Sequence, residues 1–354
     1  MTTQPWKRLS ALAAASLLSA GMISACSGGG TETAETPAAD DSTEIAEGGA
    51  CAPDLETLEF GILSTESQEN LEPQWEPFLT AMSEALGRDV IGFYATDYAG
   101  VIEGMGAGKV QVAWYGGKSY IEAAARSDAE AFAQTVNDDG TKGYYSHLIT
   151  NKDNPIVADI DLEAGNGDEY VIENAGNLTF AFNDPNSTSG FLVPTFYVFA
   201  QNGVNPEEAF SELIFAGSHE ATGLAVAENQ VDVATNNSEN LARLEETAPD
   251  ALENIQIIWT SPIIPSDPLA YRSDLPECLK DGIKDFMYTF DDAEVLGGLG
   301  WQGLDPAKDE DWNTIRELEY GKQLLEVQND DTLDDATKQE KIDEINQKLA
   351  EIQG

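Results

Sequence analysis

Short apolar runs separated by stretches of helical spacing constrain this chain most, because alternation of strand, helix and strand specifies a parallel-type α/β sheet. The first round opens with the strand-like Leu58-Glu59-Phe60-Gly61-Ile62-Leu63 and a helix start at Ser64-Thr65-Glu66-Ser67. Phe78, Leu79, Met82 and Leu86 then keep helical spacing up to Gly87. A strand at 90–94, a helix at about 98–106 and a strand at 110–115 follow. The second round starts with a strand at 178–182 and enters an apolar helix at about 190–202. It returns through a helix at 220–228 to a strand at 231–234.

The two rounds share a local pattern. Gly108-Lys109-Val110-Gln111-Val112-Ala113 and Asn229-Gln230-Val231-Asp232-Val233-Ala234 each read as a helix end, a tight turn and a short buried strand. The strands deliver Trp114-Tyr115-Gly116 and Thr235-Asn236-Asn237 to their C-terminal edges, where open α/β sheets bind ligands. Two lobes built this way face a common crevice. Residues 149–156 and 259–261 are expected to be crossovers between lobes, and 276–290 a helix returning to the first. From Trp312 the chain is charged and helical, and Asn329-Asp330-Asp331 splits it into two helices that pack on a lobe or on another copy.

Lys7 and Arg8 precede an apolar run at 9–22, and Ile23-Ser24-Ala25 leads to Cys26. This order reads as a secretory signal, too short to span a bilayer, ending at a lipobox-like site that makes Cys26 a lipidated first residue. An ordinary secretory signal beside an incidental cysteine is the alternative. Residues 31–50 offer small and acidic side chains with little to bury, and read as an extended, disordered tether. In an oxidising space Cys51 and Cys278 form a candidate disulfide, with two separate buried thiols as the alternative. Asp and Glu number 64 against 18 Lys and Arg, and the formal charge of −46 repels nucleic acid and acidic membrane surfaces. Such an excess suits a salty medium, where screening blunts self-repulsion.

Asp184-Pro185-Asn186-Ser187-Thr188-Ser189-Gly190-Phe191 follows a buried strand and precedes an apolar helix. Three successive hydroxyl residues there combine side-chain donors with unsatisfied backbone N–H groups and the positive end of the helix, a combination that suits a tetrahedral oxyanion. Plain N-capping by Asn186 or Ser187 is the alternative. Such a cradle binds an anion at short range without arginine, which a chain this acidic requires. Tyr98, Tyr144, His219, Glu239 and Asp267 come just after expected strands. Packing alone also accounts for the tyrosines and the histidine, and Asp267 before Pro268 is also a common turn. Carboxylates in an anion cleft imply a ligand with a cationic end or acidic hydroxyls. His147 and His219 are the sole histidines, no Gly-rich nucleotide loop precedes a Lys, and the Gly-x-Ser-x-Gly elbow is absent. No metal, no cofactor and no enzymatic activity are therefore expected.

The residues that join these segments are Phe93-Tyr94-Ala95-Thr96-Asp97-Tyr98, Ala113-Trp114-Tyr115-Gly116-Gly117-Lys118-Ser119 and the run from Asp184 on to Leu192-Val193-Pro194. His219-Glu220-Ala221, Val231-Asp232-Val233-Ala234-Thr235-Asn236-Asn237, Trp259-Thr260-Ser261-Pro262 and Pro265-Ser266-Asp267-Pro268 continue the series. Together they resemble the periplasmic phosphonate-binding proteins of ABC transporters, over residues 58–290. The resemblance implies an α/β, two-lobed type II periplasmic binding fold, with lobes joined by two crossover strands and helices added at the C-terminus.

It implies that Ser187, Thr188, Ser189 and Tyr98 hold phosphonate oxygens. Tyr144, His219, Glu239 and Asp267 would line the end that receives an aminoalkyl group, both carboxylates pairing its ammonium. The expected organisation is a signal peptide at 1–25, a tether at 26–50, lobe 1 at 51–150 and 260–304, lobe 2 at 151–259 and a helical tail at 305–354. The expected partners are a small phosphonate, an ABC permease, the membrane through the lipid anchor, and a second copy through the C-terminal helices. Phosphite or another small phosphorus oxyanion on the same fold, and a surface lipoprotein without transport function, are the alternatives.

Overall fold

The computed structural model describes residues 51–353. The expected signal peptide, Cys26 and the acidic tether lie outside the described residues. The strands in chain order are β1 (Thr57–Ile62), β2 (Asp89–Tyr94), β3 (Val112–Trp114), β4 (Ala129–Asn137), β5 (Ser146–Asn151), β6 (Thr179–Phe182), β7 (Glu212–Phe215), β8 (Val233–Asn237), β9 (Ile255–Thr260), β10 (Pro268–Arg272) and β11 (Trp301–Pro306). They form a six-stranded sheet in the order β11-β4-β10-β3-β1-β2 and a five-stranded sheet in the order β7-β6-β8-β5-β9.

In the first sheet β1 runs parallel to β2 and β3, and in the second β6 runs parallel to β7 and β8. β10, β11, β5 and β9 pair antiparallel with their neighbours. The turns before β3 and β8, matched in the sequence, place Gly108 and Asn229 at positive φ, +75° and +55°. Glycine reaches that region freely, and asparagine is one of the few other residues that tolerate it.

Each sheet buries aromatic side chains under its helices. Phe60 on β1 packs with Trp75 and Phe78 of the helix Gln68–Leu86, with ring centroids 5.4 and 6.2 Å away. In the other lobe Phe180 packs against Phe182, Phe199 and Phe210. Cys51 and Cys278 are joined in a disulfide with their Cα atoms 6.0 Å apart. The bridge ties the start of the described chain to the helix Glu277–Thr289.

The chain passes between sheets twice, after β4 and after β9, and the two passages pair through Tyr144 and Ile264. The reciprocal Tyr144 and Ile264 amide-to-carbonyl bonds measure 3.0 and 2.8 Å. The crossovers thus span residues 138–145 and 261–267 rather than 149–156 and 259–261. β5 belongs wholly to the second sheet, so a lobe boundary at 150 cuts through a strand. The boundary at 305 likewise cuts through β11. The misplaced crossovers and the boundary at 150 have one cause: β5 is buried along its whole length and β9 carries no alternating pattern, so apolar character cannot tell a sheet strand from a linker.

The C-terminal helices Asn313–Asn329 and Asp335–Gln353 pack together, and the first lies against both lobes. Its Ile315 meets Gly117 of the first lobe and its Gly321 meets Phe196 of the second, each at a point where a glycine Cβ would come within 2.9 Å. Lys118 Nζ and Lys322 Nζ both stand 3.4 Å from the Glu319 carboxylate, so the buried charges at this seam are paired.

Candidate functional site

A cleft of about 390 Å³ opens between the two sheets. Its walls come from the segments that follow the carboxyl ends of parallel strands: Thr65 and Glu66 after β1, Tyr98 after β2, Gly116 after β3, Ser187–Ser189 after β6, His219 after β7, and Glu239 after β8. Tyr144 and Asp267 enter from the two crossovers. Tyr98, Tyr144, Ser187, Thr188, Ser189, His219, Glu239 and Asp267, the ligand-contact candidates of the sequence, all line this one space.

The segment expected to open an apolar α-helix instead forms two π-helical turns, Thr188–Leu192 and Thr195–Phe199, and a 3-10 turn, Ala200–Asn202. Pro194 has no N–H to donate, and the wide turns leave carbonyls short of backbone partners. Side chains help satisfy them: Ser146 Oγ donates to the Ser189 carbonyl at 2.6 Å, and the Gly190 carbonyl accepts from Thr235 Oγ1 at 2.8 Å beside the Asn183 amide at 3.3 Å. Gly190 is required by close approach, since a Cβ there would lie 2.4 Å from Asn183 Cβ.

The three hydroxyl oxygens already accept hydrogen bonds. Ser187 Oγ accepts from Gly190 N at 3.0 Å, Thr188 Oγ1 from Lys118 N at 2.8 Å, and Ser189 Oγ from Asn237 Nδ2 at 3.1 Å. A hydroxyl that accepts one N–H still has its own hydrogen to give, to a ligand or, for Ser189, to His219 Nε2, so the row offers three O–H donors. Thr188 joins the lobes, because its donor Lys118 starts the helix Gly117–Arg126 of the first; a Cβ on Gly116 would sit 2.9 Å from Thr188 Oγ1.

His219 Nε2 lies 3.3 Å from Ser189 Oγ and 3.2 Å from Asn237 Nδ2. Burial pushes its pKa down to about 3, so it contributes a neutral ring and no positive charge. Burial holds Tyr98 and Tyr144 well above the usual phenol range, which keeps both as O–H donors beside Ser187 and Thr188.

The cleft also holds two acids, and Asp267 lies close to the hydroxyl row: a Cβ on Gly116 would stand 2.9 Å from Thr188 Oγ1 and 3.8 Å from Asp267 Oδ1. Burial raises Asp267 well above the carboxylate range, and the neighbouring charge of Glu239 adds to the shift. Burial raises Glu239 to about 7, with Arg243 partly opposing it. Glu239 keeps slight contact with solvent through the cleft mouth, whereas Asp267 is buried and its Oδ1 has no hydrogen-bond partner. Tyr144 and, less strongly, Trp114 lie near enough to favour the ionised Asp267, though neither closes a hydrogen bond to Oδ1.

Sequence reasoning did not single out Asn237, Trp114, Glu66 or Arg243 as site residues. Asn237 and Trp114 stood in the strand ends aimed at the crevice, and that position was the available signal. Nothing local marked Glu66 or Arg243, whose carboxylate and guanidinium meet at 3.5 Å across the lobes.

A family described as ABC transporter, phosphonate, periplasmic substrate-binding protein matches residues 60–312. The chain belongs to this family. It is 46% identical to the phosphonates-binding periplasmic protein of Escherichia coli K12 over 299 residues, which cover 83% of this chain and 85% of that protein. A crystal structure of a binding component of the Pseudomonas aeruginosa ABC phosphonate transporter is 43% identical with a TM-score of 0.79. The match covers 84% of this chain and 96% of that one. PhnD1 of Prochlorococcus marinus, solved with methylphosphonate, shares the fold at 22% identity with a TM-score of 0.66, covering 74% of this chain and 97% of its own. The chain therefore has the type II periplasmic binding fold, and as a family member it is an exported, periplasmic component of a phosphonate ABC transporter. Among the described residues no helix is long and apolar enough to cross a membrane.

Proposed function

We propose that this protein captures an aminoalkylphosphonate, 2-aminoethylphosphonate among them, between its lobes and presents it to the permease while tethered through a lipid on Cys26. The observation that carries the reading is Asp267 Oδ1, a buried carboxylate oxygen without a partner, in the same cleft as three donor hydroxyls. Ser187, Thr188, Ser189 and Tyr98 supply neutral donors to the phosphonate oxygens. The neutral state of His219 leaves the anion held by hydrogen bonds and dipoles rather than by a cation.

Glu239 and Asp267 oppose one another's ionisation while the cleft is empty. An ammonium between them lets both carry charge, and its own charge is then matched in a site of low polarity. A phosphonate without an amine leaves the acidic end unpaired. The protein accordingly binds and releases its ligand unchanged. The exposed face of the C-terminal helix Asp335–Gln353 is proposed as the surface for a second copy.

Titration calorimetry with 2-aminoethylphosphonate, methylphosphonate, phosphite and phosphate tests this reading. The aminated ligand is expected to bind tightest, and Glu239→Ala to weaken it roughly 30-fold or more while changing methylphosphonate little. Equal losses for both, or a wild-type preference for phosphite, would remove the ammonium site from the proposal.

A further inference from the structure

The helix Gln68–Leu86 begins in the first lobe at Ser67, whose own side chain makes no capping bond. Position N3 of such a helix is where a glutamate commonly reaches back to the N-cap amide; here that position is Asn70. The missing carboxylate comes from the other lobe. Glu220 Oε2 accepts from Ser67 N at 2.6 Å, and Glu220 Oε1 accepts from Asn70 Nδ2 at 2.8 Å.

The exchange is reciprocal. The helix His219–Ala227 of the second lobe starts with amides that need acceptors, and the Thr65 carbonyl of the first lobe accepts from His219 N at 3.0 Å and Glu220 N at 3.2 Å. Each lobe thus caps a helix of the other, next to the Glu66–Arg243 pair at the cleft mouth. His219 also touches Ser189 and Asn237, so the clasped turn and the hydroxyl cradle share a residue.

We propose that Glu220 is the closure residue of this protein: through cross-lobe helix capping it holds the lobes shut and sets how long any cleft ligand stays, without touching that ligand. Opening at the paired crossovers 138–145 and 261–267 would break all four bonds together, whereas diffusion of a ligand into the open form precedes them. The carboxylate therefore acts on departure rather than arrival. Glu220 is a positioning residue, and its effect is blind to ligand chemistry.

Dissociation and association rates of 2-aminoethylphosphonate, methylphosphonate and phosphate, followed by stopped-flow tryptophan fluorescence, distinguish this role. In Glu220→Ala, which removes both carboxylate bonds, every ligand that binds is expected to leave about tenfold or more faster, with association not slowed. Glu220→Gln keeps the size and one acceptor and should fall between. Small-angle scattering gives a reading that needs no ligand and so stands apart from the phosphonate assignment: Glu220→Ala should show a larger radius of gyration than the wild type. Unchanged dissociation, a loss confined to the aminated ligand, or superimposable scattering curves would each overturn the proposal.

Discussion

Ser187, Thr188 and Ser189 differ from three ordinary surface hydroxyls because each already accepts an N–H, from Gly190, Lys118 and Asn237. Glu239 is unusual in the opposite sense, since burial raises it to about 7 from an ordinary 4.5. Its neutral form is favoured by folding, so the ligand-free protein loses stability as pH rises from about 4.5 through 7. Glu239→Gln removes that penalty, and its ligand-free melting temperature is expected to fall less than the wild type's between pH 5 and pH 8. The same titration makes 2-aminoethylphosphonate bind more tightly as pH rises through 7. Calorimetry in buffers of different ionisation enthalpy should then report protons released on binding below pH 7. A pH-independent affinity would show that Glu239 is already ionised in the empty cleft.

At the scale of the element, the π-helical turn Thr188–Leu192 exchanges backbone regularity for a widened entry that projects three donors at once. It survives because Ser146 bonds the Ser189 carbonyl and Thr235 and the Asn183 amide bond that of Gly190, and because Gly190 lets Asn183 approach. Gly190→Ala inserts a methyl where nothing can yield without moving Asn183. The expected cost is about 1–3 kcal/mol of stability by chemical denaturation, together with weaker binding of every phosphonate. The helix Asn313–Asn329 acts at the same scale by bridging the lobes behind the cleft, where Glu319 sits between Lys118 and Lys322.

Across the whole molecule two features act on stability without touching the site. The Cys51–Cys278 bridge joins residues 227 apart in sequence, and its removal by Cys51→Ser with Cys278→Ser is expected to cost about 2–5 kcal/mol while leaving ligand affinity unchanged. The formal charge of −46 sets the second. Raising salt from 0.1 to 1 M shortens the screening length from about 10 to about 3 Å, so the melting temperature should climb steeply with sodium chloride. A ligand held by neutral donors at short range should keep most of its affinity over that span.

The sequence by itself determined the two rounds of strand and helix, the matched turns at Gly108 and Asn229, and the arrival of hydroxyls, tyrosines and acids at strand ends. All of these are local: apolar period, turn chemistry and position after a strand can be read within a few residues. Tertiary structure decided what depends on distant partners. It turned the helix after Ser187 into π-helical turns through Pro194 and side chains of β5 and β8. It placed the crossovers at 138–145 and 261–267, where Tyr144 and Ile264 pair, because buried β5 looks the same as a linker in sequence. It also brought Glu220 to Ser67, and Arg243 to Glu66, across 153 and 177 residues of chain, separations at which no local pattern carries information.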